Sequence, residues 1–189
     1  MTQTELTDKL DLLAGLGIYA HSTKMLKSYF PAEPPANLKK TIERAVTSGL
    51  LERPCRGIYL ATKRQSGNLY KLESIAVVLR SGEYSYISLE TALSEFSIIS
   101  QMTINYLSVM TTGRSQTWRT PYGTIEFTHT ARGELDIIEN TFRQERRPLR
   151  MAKPELALSD LKRVRRNLHM VDMETFEEVV NETNIHNSR

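Results

Sequence analysis

One cysteine in 189 residues, Cys55, excludes an internal disulfide and a cysteine-rich zinc site. Glycine is also sparse. None of the nine glycines forms a phosphate-cradling run, and Gly113-Arg114-Ser115 is at most an anion-friendly turn. The four histidines, His21, His129, His169 and His186, scatter without HExxH or Cys–His spacing, so neither a metal nor a cofactor is expected. Long apolar runs are missing as well. No stretch approaches the roughly 20 residues of a membrane helix, and MTQTELTDKLDLLAGLGIY lacks the basic start and apolar core of a signal peptide. The expectation is a cytoplasmic protein without membrane contact. Catalytic groups do not assemble in the sequence, so no catalytic residue is assigned and no enzyme is expected. His129 on a Thr-rich strand reads as structural, Trp118 as core or an interface anchor, and Glu90 as dipole compensation in a helix capped by Ser88.

The most legible pattern lies in residues 22 to 60, STKMLKSYFPAEPPANLKKTIERAVTSGLLERPCRGIYL. Leu38, Ile42, Ala45, Val46 and Leu50 recur near the 3.6-residue period of a one-sided helix. The opposite face carries Asn37, Lys39, Lys40, Thr41 and Arg44. Pro34 and Pro35 suit the first turn, where a missing N–H costs nothing, and Gly49 suits a left-handed exit. Upstream, Ser22 is a plausible N-cap for a helix with Met25, Leu26 and Tyr29 inward, and Phe30-Pro31-Ala32-Glu33 forms the turn between the two helices. After Gly49 the composition becomes strand-like around a turn at Pro54-Cys55-Arg56-Gly57. Two helices followed by a hairpin predict a winged helix-turn-helix. Its DNA-facing set is Ser22, Lys24, Asn37, Lys39, Lys40, Thr41 and Arg44, with Arg53 and Arg56 at the wing. A solvated helix face or a protein-interaction wing shares parts of this pattern. The coincidence of prolines, basic face and basic wing favours DNA.

Net charge of +3 hides two basic islands. Residues 21 to 64 hold nine basic against three acidic side chains, and residues 143 to 169 hold the same balance. The second island contains Arg143, Arg146, Arg147, Arg150, Lys153, Lys162, Arg163, Arg165 and Arg166. After Phe142 no aromatic residue interleaves it, which argues against a stacking platform for single strands. Phosphate contacts, a surface for a protein or RNA partner, and a solvated helix face all remain open for it.

The polar stretch QSGNL at 65–69 predicts a hinge between a winged-helix domain at 1–64 and a second domain at 70–189. Thr2 and Glu5 form a capping box for a first helix with Leu6, Leu10, Leu13 and Leu16 inward. The second domain reads as mixed α/β. A helix over Tyr70–Arg80 ends at Gly82, and Ser88 caps another after the extended Tyr86-Ile87. Residues 103 to 111 and 116 to 130, with the turn Pro121-Tyr122-Gly123, predict a small antiparallel sheet. Pro154-Glu155 opens a helix carrying Leu156, Leu158, Leu161 and Val164, and Asp172 caps a last one. The fold class expected is α+β.

The order of RGIYLAT, YISLETALSEFSII, VMTTGRSQTWRTPYGTIEFTHT and RMAKPELALSDL resembles the AbiEi family of antitoxins from type IV toxin–antitoxin, abortive-infection systems of phage defence. The resemblance implies two tasks. The winged helix would bind inverted repeats in its own promoter and repress the operon, while the second domain would counteract a nucleotidyltransferase-like toxin without a stable complex. Inverted repeats need two copies on double-stranded promoter DNA but no dimer in solution, so a monomer or weak dimer is expected. Carried onto this chain, Asn37, Lys39, Lys40, Thr41, Arg44, Arg53 and Arg56 would hold DNA. A second surface would combine Arg114 and Arg119 with Arg146, Arg147, Arg150, Lys153, Lys162, Arg163, Arg165 and Arg166, facing RNA, a toxin substrate or promoter DNA. The alternatives are a winged-helix regulator with a sensor domain and no antitoxin activity, and an enzyme or direct toxin-binding protein.

Overall fold

The expected capping box closes at the start of α1 (Gln3–Gly15): the Thr2 hydroxyl accepts the Glu5 N–H at 3.2 Å, and the Glu5 carboxylate accepts the Thr2 N–H at 2.8 Å. The computed structural model describes residues 1–62, 69–100 and 105–187. Across them the fold is α+β, with eight α-helices, a small antiparallel sheet and a larger mixed sheet. The chain divides into two compact units, Met1–Ser81 with Thr120–Tyr122, and Gly82–Arg119 with Gly123–Arg189. Among the described residues no helix is long and apolar enough to cross a membrane.

In the first unit, α1 is followed by β1 (Ala20–Ser22), α2 (Thr23–Tyr29), α3 (Pro35–Thr47), β2 (Leu51–Cys55), β3 (Ile58–Ala61) and α4 (Lys71–Leu79). The strands pair antiparallel in the order β1-β3-β2. Ser22 caps α2, accepting the Met25 N–H at 3.1 Å. Pro35 occupies the first turn of α3, and Gly49 follows it at φ +71°, so both punctuation signals act where the sequence put them. The core joins Leu6 and Leu10 of α1, Leu26 of α2, and Leu38, Ile42 and Ala45 of α3 to Leu50, Leu51 and Ala61. Leu16 departs from expectation. It caps the C-terminus of α1 at 72% exposure, and Ala14 is buried instead.

Two further readings need correction. Pro54 and Cys55 belong to β2 rather than to the turn, which is confined to Arg56-Gly57; a register shift between Glu52 and Cys55 accommodates the proline. Gly57 takes the left-handed conformation the turn needs, at φ +78°. The first unit also extends past the 65–69 hinge to Ser81, because α4 packs on β1 and β3. Residues 63 to 68 lie outside the described residues.

The second unit contains β4 (Ser85–Ile87), α5 (Leu89–Glu95), β5 (Tyr106–Thr111), β6 (Gln116–Thr120), β7 (Gly123–His129), α6 (Glu134–Glu139), β8 (Thr141–Phe142), β9 (Arg150–Ala152), α7 (Pro154–Val164) and α8 (Met173–Asn187). Its sheet is not the small antiparallel one expected. It has six strands in the order β6-β7-β5-β4-β9-β8, with β5 parallel to β7 and β4 parallel to β9. From Leu107 to Thr111 every residue of β5 is buried, as in a strand covered on both faces. Helices α5 and α7 pack against each other, and Pro154 opens α7 as expected. Asp172 caps α8 by accepting the Glu174 and Thr175 N–H groups at 3.0 and 3.2 Å.

Candidate nucleic-acid interface

Helix α3 buries Leu38, Thr41, Ile42 and Ala45, which leaves Lys40, Glu43 and Thr47 opposite the core with Asn37 and Arg44 on one flank and Lys39 on the other. Thr41 is therefore removed from the DNA-facing set. It is 7% exposed, and its hydroxyl donates to the Asn37 carbonyl at 3.1 Å within the helix. Lys40, Glu43, Arg44, Thr47 and Ser48 line an open groove of about 470 Å³ with Gln3 from the start of α1. Gln3 Nε2 donates to Ser48 Oγ at 2.8 Å and ties the ends of the two helices together. The Thr47 hydroxyl donates to the Glu43 carbonyl at 3.0 Å. Lys40, Glu43 and Arg44 thus supply the charged head groups of the groove.

Ser22 is also better described by what it caps. Its hydroxyl is committed to α2, so its contribution to a surface is to fix where that helix starts. The Thr23 N–H donates to the Gly57 carbonyl at 3.0 Å, which fastens the start of α2 to the β2–β3 turn. Lys24, Lys27, Lys40, Arg44, Arg53 and Arg56 are all exposed, and among the described residues none of them has an ion-pair partner. Lys39 meets Glu43 at 3.9 Å, an exposed pair worth a few tenths of a kcal/mol. Burial raises the pKa of the Cys55 thiol, with Arg53 opposing, so this residue stays protonated at neutral pH. Lys63 and Arg64 of the first basic island lie outside the described residues.

The second basic island is organised differently. Arg147 is 5% exposed and grips both carboxylate oxygens of Glu95 at 2.5 and 2.7 Å. Arg150 donates to the Thr141 hydroxyl and to the carbonyls of Thr141 and Ile138, closing the β8–β9 hairpin. Arg163 donates to the His129 carbonyl at 3.0 Å. Arg166 spans Glu90 and Glu126 with four hydrogen bonds of 2.6 to 3.0 Å. Arg114, Arg119, Lys162 and Arg165 are exposed, Lys153 is half-buried before α7, and Arg146 leans on its neighbour Glu145. The island is therefore split between internal fasteners and solvent-facing charges.

Two buried networks in the second unit have no counterpart in the sequence reading. Asp160 is fully buried and accepts from Tyr86 Oη and Ser88 Oγ, both at 2.9 Å, and from Arg132 at 3.3 Å. Ser88 thus serves Asp160 rather than capping α5. Burial first, then the Asp160 carboxylate, pushes the Tyr86 phenol well above its usual range. Glu90 is likewise not a dipole-compensating surface residue. It is 6% exposed and is held by Arg166, by Asn167 at 2.8 Å and by the Ser108 hydroxyl at 3.3 Å. Hydrogen bonds from Arg166 lower the pKa of Glu126 against its burial, and Tyr106, which donates to Glu126 at 2.8 Å, is pushed up to about 12 by burial and that carboxylate. Between the two networks sits Leu89, fully buried at φ +57°, a strained conformation for this residue. Its neighbours Ser88 and Glu90 face different networks. His129 is exposed, with Nδ1 2.9 Å from the Gly113 carbonyl, and Trp118 is half-buried on β6. No protein-family model matches the chain, and no curated protein sequence matches it.

Proposed function

We propose that the protein is a double-stranded-DNA-binding repressor whose first unit is a winged helix-turn-helix, and that it is the antitoxin of a type IV toxin–antitoxin system. The observation that carries the DNA half is that Lys24, Lys27, Lys40, Arg44, Arg53 and Arg56 on α2, α3 and the β2–β3 hairpin are exposed and, among the described residues, without ion-pair partners. Paired arginines are already neutralised; unpaired ones gain by replacing condensed counterions on phosphates. The succession α1, β1, α2, α3, β2, β3 supports the reading. In it, α3 enters the major groove with Asn37, Lys39, Lys40 and Arg44 outward, and the hairpin is the wing. Lys24, Arg53 and Arg56 contact phosphates or the adjacent minor groove. Thr41 takes no part.

The antitoxin half rests on the order of motifs that resembles AbiEi antitoxins, and most of those motifs lie in the second unit. Its partners would be promoter DNA with inverted repeats and, functionally, a nucleotidyltransferase-like toxin. Fluorescence anisotropy with the duplex upstream of its own gene tests the DNA half: affinity for this duplex exceeds that for a scrambled one and falls steeply with salt. Equal affinity for both would remove the operator reading. Co-expression with the neighbouring gene product tests the antitoxin half, which requires that growth be restored; no rescue by a folded protein refutes it.

A further inference from the structure

Resting on the DNA reading of α3, we infer that Glu43 selects a C·G base pair in the bound site. A carboxylate repels phosphate, so its place opposite the core among exposed cations, of which Lys39 alone meets it, asks for a reason. Glu43 has 63% side-chain exposure, and its Lys39 contact at 3.9 Å leaves both partners largely solvated. In this it differs from Glu90, Glu126 and Asp160, whose oxygens are taken by arginines. Its neighbours in the groove are the cations Lys40 and Arg44. The groove therefore places one carboxylate beside two cations.

In the major groove an acceptor-only group needs an amino group. Adenine N6 comes with the acceptor N7 on the same ring system, which suits an amide and repels a carboxylate, whereas cytosine's own major-groove edge carries no acceptor beside N4. Its paired guanine presents O6 and N7, which are ligands for Lys40 or Arg44. A C·G pair thus matches both signs of charge in the groove. Away from its cognate pair, Glu43 weakens binding at every sequence.

The test takes the duplex most enriched from a randomised library by the full chain, and measures anisotropy with each base pair substituted in turn, for the native protein, Glu43→Gln and Glu43→Ala. The native protein loses about 5- to 150-fold in affinity at one C·G pair, the discrimination of a good base contact. Glu43→Ala reduces the preference at that pair to what guanine contacts from Lys40 or Arg44 retain and tightens binding to scrambled duplex; Glu43→Gln shifts the preference there towards A·T. Should both variants keep the native preference at every position, Glu43 does not read a base and the inference is overturned while the DNA reading stands. Should the native protein enrich no sequence at all, both fall. Glu43 is exposed, so neither variant threatens folding.

Discussion

His21 lies fully buried in β1 with Nδ1 3.3 Å from the Tyr29 hydroxyl, and Nε2 has no hydrogen-bond partner among the described residues. Burial lowers its pKa from 6.5 to about 4. The folded state therefore binds fewer protons than the unfolded state between these values, so its stability is complete above about pH 6.5 and declines as pH falls. The loss from this residue is about 2 kcal/mol at pH 5 and about 3 kcal/mol by pH 4. Urea unfolding across that window checks it: the native protein shows the decline and His21→Phe loses most of it, whereas an equal decline in the variant would place the cause elsewhere. Glu126 adds an effect of the same sign at lower pH, since its depressed pKa contributes stability that is lost below the ordinary carboxylate value of 4.5. Asp160 makes the sharper residue-scale prediction. Asp160→Ala takes the acceptor from the Tyr86 and Ser88 hydroxyls and leaves Arg132 only Asp136 and Ser159, destabilising the protein by about 2–5 kcal/mol, measured by urea unfolding; a change below about 1 kcal/mol would contradict the network. None of these three roles was legible, because Glu126 and Asp160 depend on partners 20 to 74 residues away and His21 on a burial that its own sequence neighbourhood does not reveal. Thr41 was misread for a more local reason: a β-branched polar side chain at the edge of the apolar stripe can satisfy its hydroxyl within the helix, and this one does.

Elements with strong local signals were legible, and those defined by pairing were not. The capping box of α1, the prolines of α3 and α7, and Asp172 before α8 each satisfy helix-end groups from nearby residues, so a short window of sequence contains the whole cause. Strands β8 and β9 have two and three residues, too few for alternation to register. The parallel pairs β5·β7 and β4·β9 are non-local, and this is why a six-stranded mixed sheet was read as a small antiparallel one. Gly123 shows what the pairing demands. At φ +139°, a Cβ there would sit 2.0 Å from the Asn105 carbonyl oxygen, which accepts the Thr124 N–H at 2.9 Å next to the first β5–β7 pair. Gly123→Ala therefore combines backbone strain with a clash and destabilises the protein by about 2–4 kcal/mol, read from the shift in urea midpoint. A variant as stable as the native chain would mean that this end of the sheet yields freely.

At the scale of the molecule, the two basic islands look alike in sequence and behave differently in the fold. The count of charges was legible; their partners were not, since Glu90, Glu95 and Glu126 come from segments well before the arginines they meet. Among the described residues of the first island, Lys24, Lys27, Lys40, Arg44, Arg53 and Arg56 are exposed without ion-pair partners, which is the basis for the proposed DNA surface. Salt dependence measures this most directly. Each phosphate contact contributes about 0.9 to the slope of log affinity against log salt, so Lys40→Ala/Arg44→Ala should flatten the slope for the upstream duplex by nearly two and weaken binding. Lys162→Ala/Arg165→Ala, taken from exposed positions of the second island, should leave the slope unchanged. An unchanged slope in the α3 variant, with the loss appearing in the second-island variant, would contradict the assignment of DNA binding to the first unit.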